Sequence, residues 1–264
     1  MCPYFYVFSR RIPTYGVMMI VGVLAAGMMG VVRVRRAALR WENAVVIIAC
    51  SFGFALMGAM GLYLLVTYRW SEIVELVKTG ELFTGNRLGL VFYGGIFGAI
   101  PGVLLGTRIT GSRLEDYIPP MLPCVPLGHA FGRIGCLLAG CCYGIPTDLP
   151  IGIVYREAIS DAPKGIALFP VQALESLILI GIFLILVRYT RQNPPAVRVV
   201  ALYLMTYAIC RFGLEWLRYD AIRGYFGDWS TSQWISIILF YGGLSLWFSP
   251  RRTTTRGGLK KGED

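Results

Sequence analysis

Charge is scarce in this chain and unevenly placed: Asp, Glu, Lys and Arg supply 15% of its 264 residues, against about 25% in a typical soluble domain. No polar stretch is long enough to carry a core of its own, which excludes a separate water-soluble domain. Internal repeats and heptads are also missing, and with them solenoid and coiled-coil architectures. Histidine occurs once, at His129, and the cysteines form neither paired C-x-x-C elements nor a zincin helix. The first apolar run follows Arg10 and Arg11 but has no small-residue cleavage site and is succeeded by runs as apolar as itself. It is therefore expected to remain as a helix and not to leave as a signal peptide.

Hydrocarbon is what the chain has in excess. With 56% hydrophobic residues and a mean hydropathy of +0.61, it carries more apolar surface than one core of this size hides, so much of it must face lipid. Runs of about 20 apolar residues cross the hydrocarbon layer as helices. About seven such spans are expected, near 15–32, 43–66, 88–106, 117–139, 170–188, 198–217 and 233–248. The fourth contains Pro119, Pro120, Pro123 and Pro126 and is expected to be broken or re-entrant, which lipid tolerates only where protein or water satisfies the freed backbone groups. The fold class is thus an all-α polytopic membrane protein, one transmembrane domain over 1–249. Outer loops 143–169 and 218–232 form a small irregular cap, and a basic tail, 250–264, is expected to be disordered.

The net charge of +10 lies in short loops beside apolar runs, where it signals topology and not nucleic-acid binding. One side collects Arg33, Arg35, Arg36, Arg40, Arg108, Arg113, Arg188, Arg191, Arg198, Arg251, Arg252, Arg256, Lys260 and Lys261, which is 14 basic residues against five acidic ones. The other holds nine, Arg10, Arg11, Arg69, Lys78, Arg87, Arg156, Lys164, Arg218 and Arg223, against eight acidic ones. The positive-inside rule makes the first side cytoplasmic, with the N-terminus outside and the C-terminus inside.

Glu175, Arg211 and Glu215 fall inside apolar runs, and His129 and Arg133 inside the broken one. A charge at mid-bilayer costs about 2.5–3.5 kcal/mol on insertion scales, so each needs a partner or a function. Arg211 and Glu215, spaced i,i+4, share a helical face. They read either as an ion pair that pins helix packing or as a phosphate ligand held in place by its carboxylate. Arg133 sits in Gly128-His129-Ala130-Phe131-Gly132-Arg133-Ile134-Gly135, where glycines admit a lipid headgroup to a guanidinium whose planar fork matches phosphate oxygens. His129, four residues earlier, shares that face, either hydrogen-bonded in place or as an acid–base group. Cys136, Cys141 and Cys142 crowd the segment that follows. Packing, a disulfide or redox role and metal binding all remain open for these candidate reactive thiols.

In order and spacing these landmarks resemble the phosphatidylglycerol–prolipoprotein diacylglyceryl transferases of bacteria over nearly the whole chain. Tyr15-Gly16 with Arg35-Arg36 resembles the family's first helix. Phe92-Tyr93-Gly94-Gly95 is similar to its Phe-His-Gly-Gly segment, and Gly132-Arg133-Ile134-Gly135 to its Gly-Arg-Leu-Gly signature. Pro170-Val171-Gln172-Ala173-Leu174-Glu175 looks like its Pro-x-Gln-x-x-Glu helix, the stretch from Tyr207 through Arg211 to Glu215 like its Tyr-x-x-x-Arg-x-x-x-Glu helix, and Ser232-Gln233 precedes the last span as it does there. The resemblance implies transfer of the diacylglyceryl group of phosphatidylglycerol to the thiol of a lipobox cysteine in prolipoprotein signal peptides, with glycerol phosphate released. The reaction runs at the outer face of the bacterial cytoplasmic (inner) membrane and needs no metal or organic cofactor. It also implies roles: Arg133 and Arg211 on the phosphate, Tyr15 and Tyr207 positioning the headgroup, and Gly94, Gly95, Gly132, Gly144, Gln172, Glu175 and Glu215 lining the substrate.

The departures from the family pattern are specific. Tyr93 stands where the family has a histidine held to activate the thiol, and a phenol is a poor base at neutral pH. Cys136 and Cys141 replace an Asn and a Glu, and Met60 falls where the family's second span carries an Arg. His129 is the candidate to supply the missing base, with Tyr93 orienting a headgroup through its hydroxyl. Two other readings stand beside the transferase: a lipid-modifying enzyme of the same fold with a different acceptor or a Cys-linked intermediate, and a non-enzymatic lipid-binding or transport protein. The absence of an inverted repeat and of a ladder of acidic residues weighs against transport.

Overall fold

The computed structural model describes residues 3–7, 10–79, 91–158, 162–219 and 224–249. The tail 250–264, expected to be disordered, lies outside them. An antiparallel hairpin, β1 (Tyr4–Val7) with β2 (Arg10–Pro13), comes first. Thr14 fastens it by donating its hydroxyl to Pro3 O at 2.9 Å. Then follow α1 (Thr14–Arg36), α2 (Trp41–Thr67), α3 (Trp70–Lys78), α4 (Phe92–Thr110), α5 (Leu114–Met121) and α6 (Cys124–Ala139). Two-residue strands β3 (Ile153–Val154) and β4 (Ala167–Leu168) precede α7 (Val171–Thr190) and α8 (Ala196–Leu214). The chain closes with β5 (Tyr225–Phe226), β6 (Trp229–Ser230) and α9 (Thr231–Phe248).

This is a polytopic helical membrane protein. Among the described residues, four helical stretches are long and apolar enough to cross a bilayer: α1, α2, α7, and α8 with the 3₁₀ turn Glu215–Leu217 that extends it. The expected proline break is real. Between α5 and α6 the axis turns by 45°, and together the two make a fifth crossing. Pro123 occupies the break and Pro126 the first turn of α6, positions where a missing N–H costs nothing that the helix start had not already lost. The remaining expected spans overlap α4 and α9, with 88–90 lying outside the described residues. Several boundaries need correction: α1 and α4 each run four residues past the expected ends at 32 and 106, the expected span 117–139 is two helices, and regular α8 stops at Leu214, three residues short of the expected end. The connection after α2, for which the sequence carried no expectation, holds α3.

Small residues set how closely the helices approach, as they do where helices pack without a hydrophobic driving force. Gly94, Gly98, Gly102 and Gly106 recur every fourth residue down one face of α4, where a β-carbon would run into α2. At Gly94 it would overlap Gly58 O, at Gly98 Phe54 O, and at Gly106 it would come within 2.7 Å of Ile47 Cα. A second seam joins α1 to α6, where a β-carbon on Gly22 would lie 2.8 Å from Phe131 Cβ and one on Gly135 3.2 Å from Met18 Cβ.

The basic ends meet on one side. Arg33, near the end of α1, donates to Pro120 O at 2.8 Å and Thr190 Oγ1 at 2.7 Å, and Tyr117 donates to Arg40 O at 3.0 Å. On the opposite side β3 pairs with β4 over a small core of Tyr155, Ala162 and Leu168. With the β5–β6 hairpin this forms the small cap that the loop composition suggested.

Candidate functional site

Five charged side chains converge between α6, α7 and α8, just under the cap. Glu175, 2% exposed on α7, sits between two guanidiniums: Arg133 Nε lies 3.1 Å from its Oε1 and Arg218 Nη1 donates to its Oε2 at 3.4 Å. A second pair joins Arg211 Nη2 to Glu215 Oε2 at 2.8 Å, and the same nitrogen donates to Ser232 Oγ at 3.0 Å. Three arginines and two glutamates thus share one buried site. Buried ions are costly unless partnered, so such a cluster is either a structural network or a site for an anion.

Arg218 was not among the residues the sequence singled out. It was counted with the outer loop 218–232, whereas its side chain is only 1% exposed, against Glu175. The Gly144 backbone puts it there. Residue 144 pairs with residue 218 as an antiparallel bridge, Ile145 N donates to Leu217 O at 3.0 Å and Tyr219 N to Tyr143 O at 3.2 Å. A β-carbon on Gly144 would overlap Phe169 O and lie 2.8 Å from Leu217 O. Only a residue without a side chain lets the cap strand pass so close, so Gly144 sits where it positions Arg218. A signal was available, since Arg211, Glu215 and Arg218 continue an i,i+4,i+7 pattern past the helix end.

The local sequence explains the rest of the frame. Ser230 and Gln233 form a capping box at the start of α9, with Gln233 N donating to Ser230 Oγ at 3.3 Å and Ser230 N to Gln233 Oε1 at 3.0 Å. That fixes the first turn, from which Ser232 reaches Arg211. Ser176 donates to Ala130 O at 3.1 Å and ties α7 to α6 beside Glu175. Gln172, 1% exposed, donates to Cys141 O at 2.7 Å and to the Tyr155 hydroxyl at 3.4 Å. Burial pushes the Tyr155 phenol up to about 12.

His129 and Tyr207 face each other with ring centroids 5.9 Å apart. Both lie within electrostatic reach of Arg133 and Arg211, and Tyr93 is near enough to act on Tyr207. A narrow crevice beside them is lined by Glu175, Tyr207, Cys210, Arg211 and Leu214. Tyr15 packs over Gly135, whose β-carbon would sit 3.3 Å from its ring, and feels Arg133 and the three thiols. Tyr15 and Tyr93 are 41% and 43% exposed, at the surface a lipid would meet. The structure therefore brings together His129, Arg133, Glu175, Tyr207, Arg211 and Glu215, with Tyr15 and Tyr93 at the margin. Gly94 and Gly95 do not line this cluster. They face α2, a β-carbon on Gly95 lying 3.6 Å from Ala55 O. Gly132 faces Met19 on α1 at 3.3 Å in the same sense.

Cys136, Cys141 and Cys142 gather at the end of α6, their sulfurs within 4.8 Å of one another. Cys142 is pulled below the ordinary thiol range by hydrogen bonds from Cys136 and Cys141 and by the nearby charges of Arg218 and Arg133. Its neighbour Cys141 is pushed up, first by its bond with Cys136.

Residues 4–249 match the model of the prolipoprotein diacylglyceryl transferase family. Among characterised relatives, the chain is similar to the phosphatidylglycerol–prolipoprotein diacylglyceryl transferase 2 of Clostridium perfringens (strain 13 / Type A), 32% identical over 244 residues that cover 91% of this chain and 92% of the relative. It is similar to the phosphatidylglycerol–prolipoprotein diacylglyceryl transferase of Clostridium tetani (strain Massachusetts / E88), 32% identical over 247 residues covering 91% and 94%. The enzyme of the same description from Legionella pneumophila (strain Corby) is 31% identical over 247 residues covering 91% and 93%.

Proposed function

Because this chain belongs to the prolipoprotein diacylglyceryl transferase family, we propose that it transfers the diacylglyceryl group of phosphatidylglycerol to the thiol of a lipobox cysteine in prolipoproteins, the first step of lipoprotein maturation. The setting is a bacterial cytoplasmic membrane, with the N-terminus and the cap outside and the C-terminus in the cytoplasm. One observation carries the reading: three guanidiniums, those of Arg133, Arg211 and Arg218, converge with Glu175 and Glu215 beneath the cap. The phosphodiester of phosphatidylglycerol carries one negative charge, and the planar fork of a guanidinium matches its oxygens.

The chemistry follows from that placement. The acceptor sulfur attacks the glyceryl carbon that bears the phosphate ester, the carbon–oxygen bond breaks, and the electron pair passes to the phosphate oxygen. Arg133, Arg211 and Arg218 stabilise the charge that gathers there, an effect strengthened where water is excluded. Glu175 and Glu215 hold the guanidiniums in place. Tyr15, Tyr93 and Tyr207 orient the headgroup from the lipid-facing margin. His129 shares one face of α6 with Arg133 and takes the proton of the acceptor thiol.

The test is a transfer assay backed by complementation. Membranes carrying the chain should convert a lipobox peptide to its diacylglyceryl thioether, and the gene should rescue a bacterium depleted of its own transferase. Stable expression with neither result would overturn the proposal, and His129→Gln with full transfer would remove that residue from the mechanism.

A further inference from the structure

Cys136, Cys141 and Cys142 are not used by the transfer chemistry above, yet the chain goes to some length to assemble them. Cys136 is buried on α6, while Cys141 and Cys142 are half-buried on the turn that follows. Gly140 ends the helix at φ +76°, where a β-carbon would meet Ala158 Cβ at 2.8 Å and Tyr155 Cδ1 at 3.1 Å. The N–H groups of Gly140 and Cys141 both return to Cys136 O, at 3.0 and 3.1 Å, and Gln172 clamps Cys141 O from α7. Cys142 is itself held at φ 56°, a left-handed conformation that a residue with a β-carbon avoids unless its surroundings impose it. The outcome is three sulfurs on one spot.

We propose that these three thiols bind one thiophilic divalent cation of the zinc class, leaving its fourth position open for the sulfur of the acceptor cysteine. Zinc binds sulfur at about 2.3 Å, which spaces sulfurs of a tetrahedral site about 3.8 Å apart. Sulfurs already within 4.8 Å of one another reach that spacing by small side-chain rotations. Three protein ligands with an open fourth position is the arrangement of catalytic zinc, whereas structural sites are closed by four. The place also fits. Cys136 follows Arg133 by three residues and His129 by seven, so all three share one face of α6, and Arg133 and Arg218 act electrostatically on the thiols. A metal here adjoins the guanidiniums that receive the phosphate.

The inference rests on the transferase reading for the identity of the fourth ligand, and it answers a gap in that reading. Tyr93 stands where the resemblance leads one to expect a thiol-activating histidine. A metal-bound thiol is held as thiolate and keeps its nucleophilicity. The acceptor thiol gives up its proton to water as its sulfur forms a bond to the metal. Its sulfur then bonds to the glyceryl carbon as the carbon–oxygen bond breaks and glycerol phosphate departs. The thioether so formed is a weak ligand and leaves, and the metal returns to its three protein thiolates.

The full-length chain, purified in detergent with reductant and stripped with a chelator, is titrated with cobalt(II) as a spectroscopic stand-in for zinc. One cobalt per chain, with thiolate-to-cobalt charge transfer that is lost in the combined Cys136→Ser, Cys141→Ser, Cys142→Ser variant, is the expected result. A lipobox peptide should then shift the ligand-field bands, and its Cys→Ser counterpart should not. The site is overturned if wild-type chain gives no charge-transfer band, if the band survives in the triple variant, or if protein purified without reductant holds two of the three thiols as a disulfide. Transfer that proceeds without the cysteine peptide moving the ligand-field bands overturns the fourth-ligand role. Because binding is read without turnover, a cobalt site without transfer sinks the transferase reading alone, and transfer without a cobalt site sinks the metal alone.

Discussion

Glu175 is the residue on which most of the site's electrostatics turns, since one buried carboxylate serves both Arg133 and Arg218. Glu175→Gln keeps the shape and removes the charge, which leaves two guanidiniums facing each other without their counter-ion. Breaking a buried pair from one side costs about 3–5 kcal/mol. The variant should therefore melt well below wild type in detergent, and added phosphatidylglycerol should raise its melting temperature more than it raises that of wild type. Equal melting curves would show that Glu175 does not balance the pair. Arg133→Ala and Arg211→Ala should each lower transfer to a lipobox peptide by about 100-fold or more, the loss typical when a donor to developing negative charge is removed. Lysine at either position should not restore it, because a point charge does not reproduce the guanidinium fork. Arg133, Glu175, Arg211 and Glu215 were legible in the sequence because a charge inside an apolar run is conspicuous. Arg218 was not, because it follows the last helical turn and reads as loop until the Gly144 strand is seen to fold it inward.

At the scale of elements, the fourfold glycine spacing of α4 lets two backbones touch. Gly98→Ala should be among the most damaging small substitutions in the chain, since its β-carbon would overlap Phe54 O and sit 3.2 Å from Gly58 Cα. Overpacking of this kind costs about 1–3 kcal/mol. Gly61→Ala, with nothing within 4 Å of the added carbon, serves as the control and should be neutral. Thermal melts of both, side by side, decide whether the seam or general glycine loss matters. The long helices were legible because lipid demands length and apolarity together, and the proline run announced the break between α5 and α6. The nine-residue α3 was not, being too short to span. Nor were the partners across helices: spacing can pair Arg211 with Glu215, but no spacing rule joins Arg133 to Glu175 from another helix.

For the molecule as a whole, sidedness is the property that composition speaks to most directly. The ends of α1, α4 and α7 and the start of α2 come together on the basic side, and the cap closes the other. A protease site at Gly165, an exposed turn between β3 and β4 with open space around it, should be cut in intact spheroplasts. A tag on the C-terminus should be cut only after lysis, and the reverse pattern would invert the orientation proposed here. The charge of the buried cluster has one more consequence. Phosphatidylglycerol enters as a monoanion, but the released glycerol phosphate is a monoester carrying about −1.5 to −2 at neutral pH. Three guanidiniums therefore attract the product more strongly than the headgroup it came from, so added glycerol phosphate should inhibit transfer.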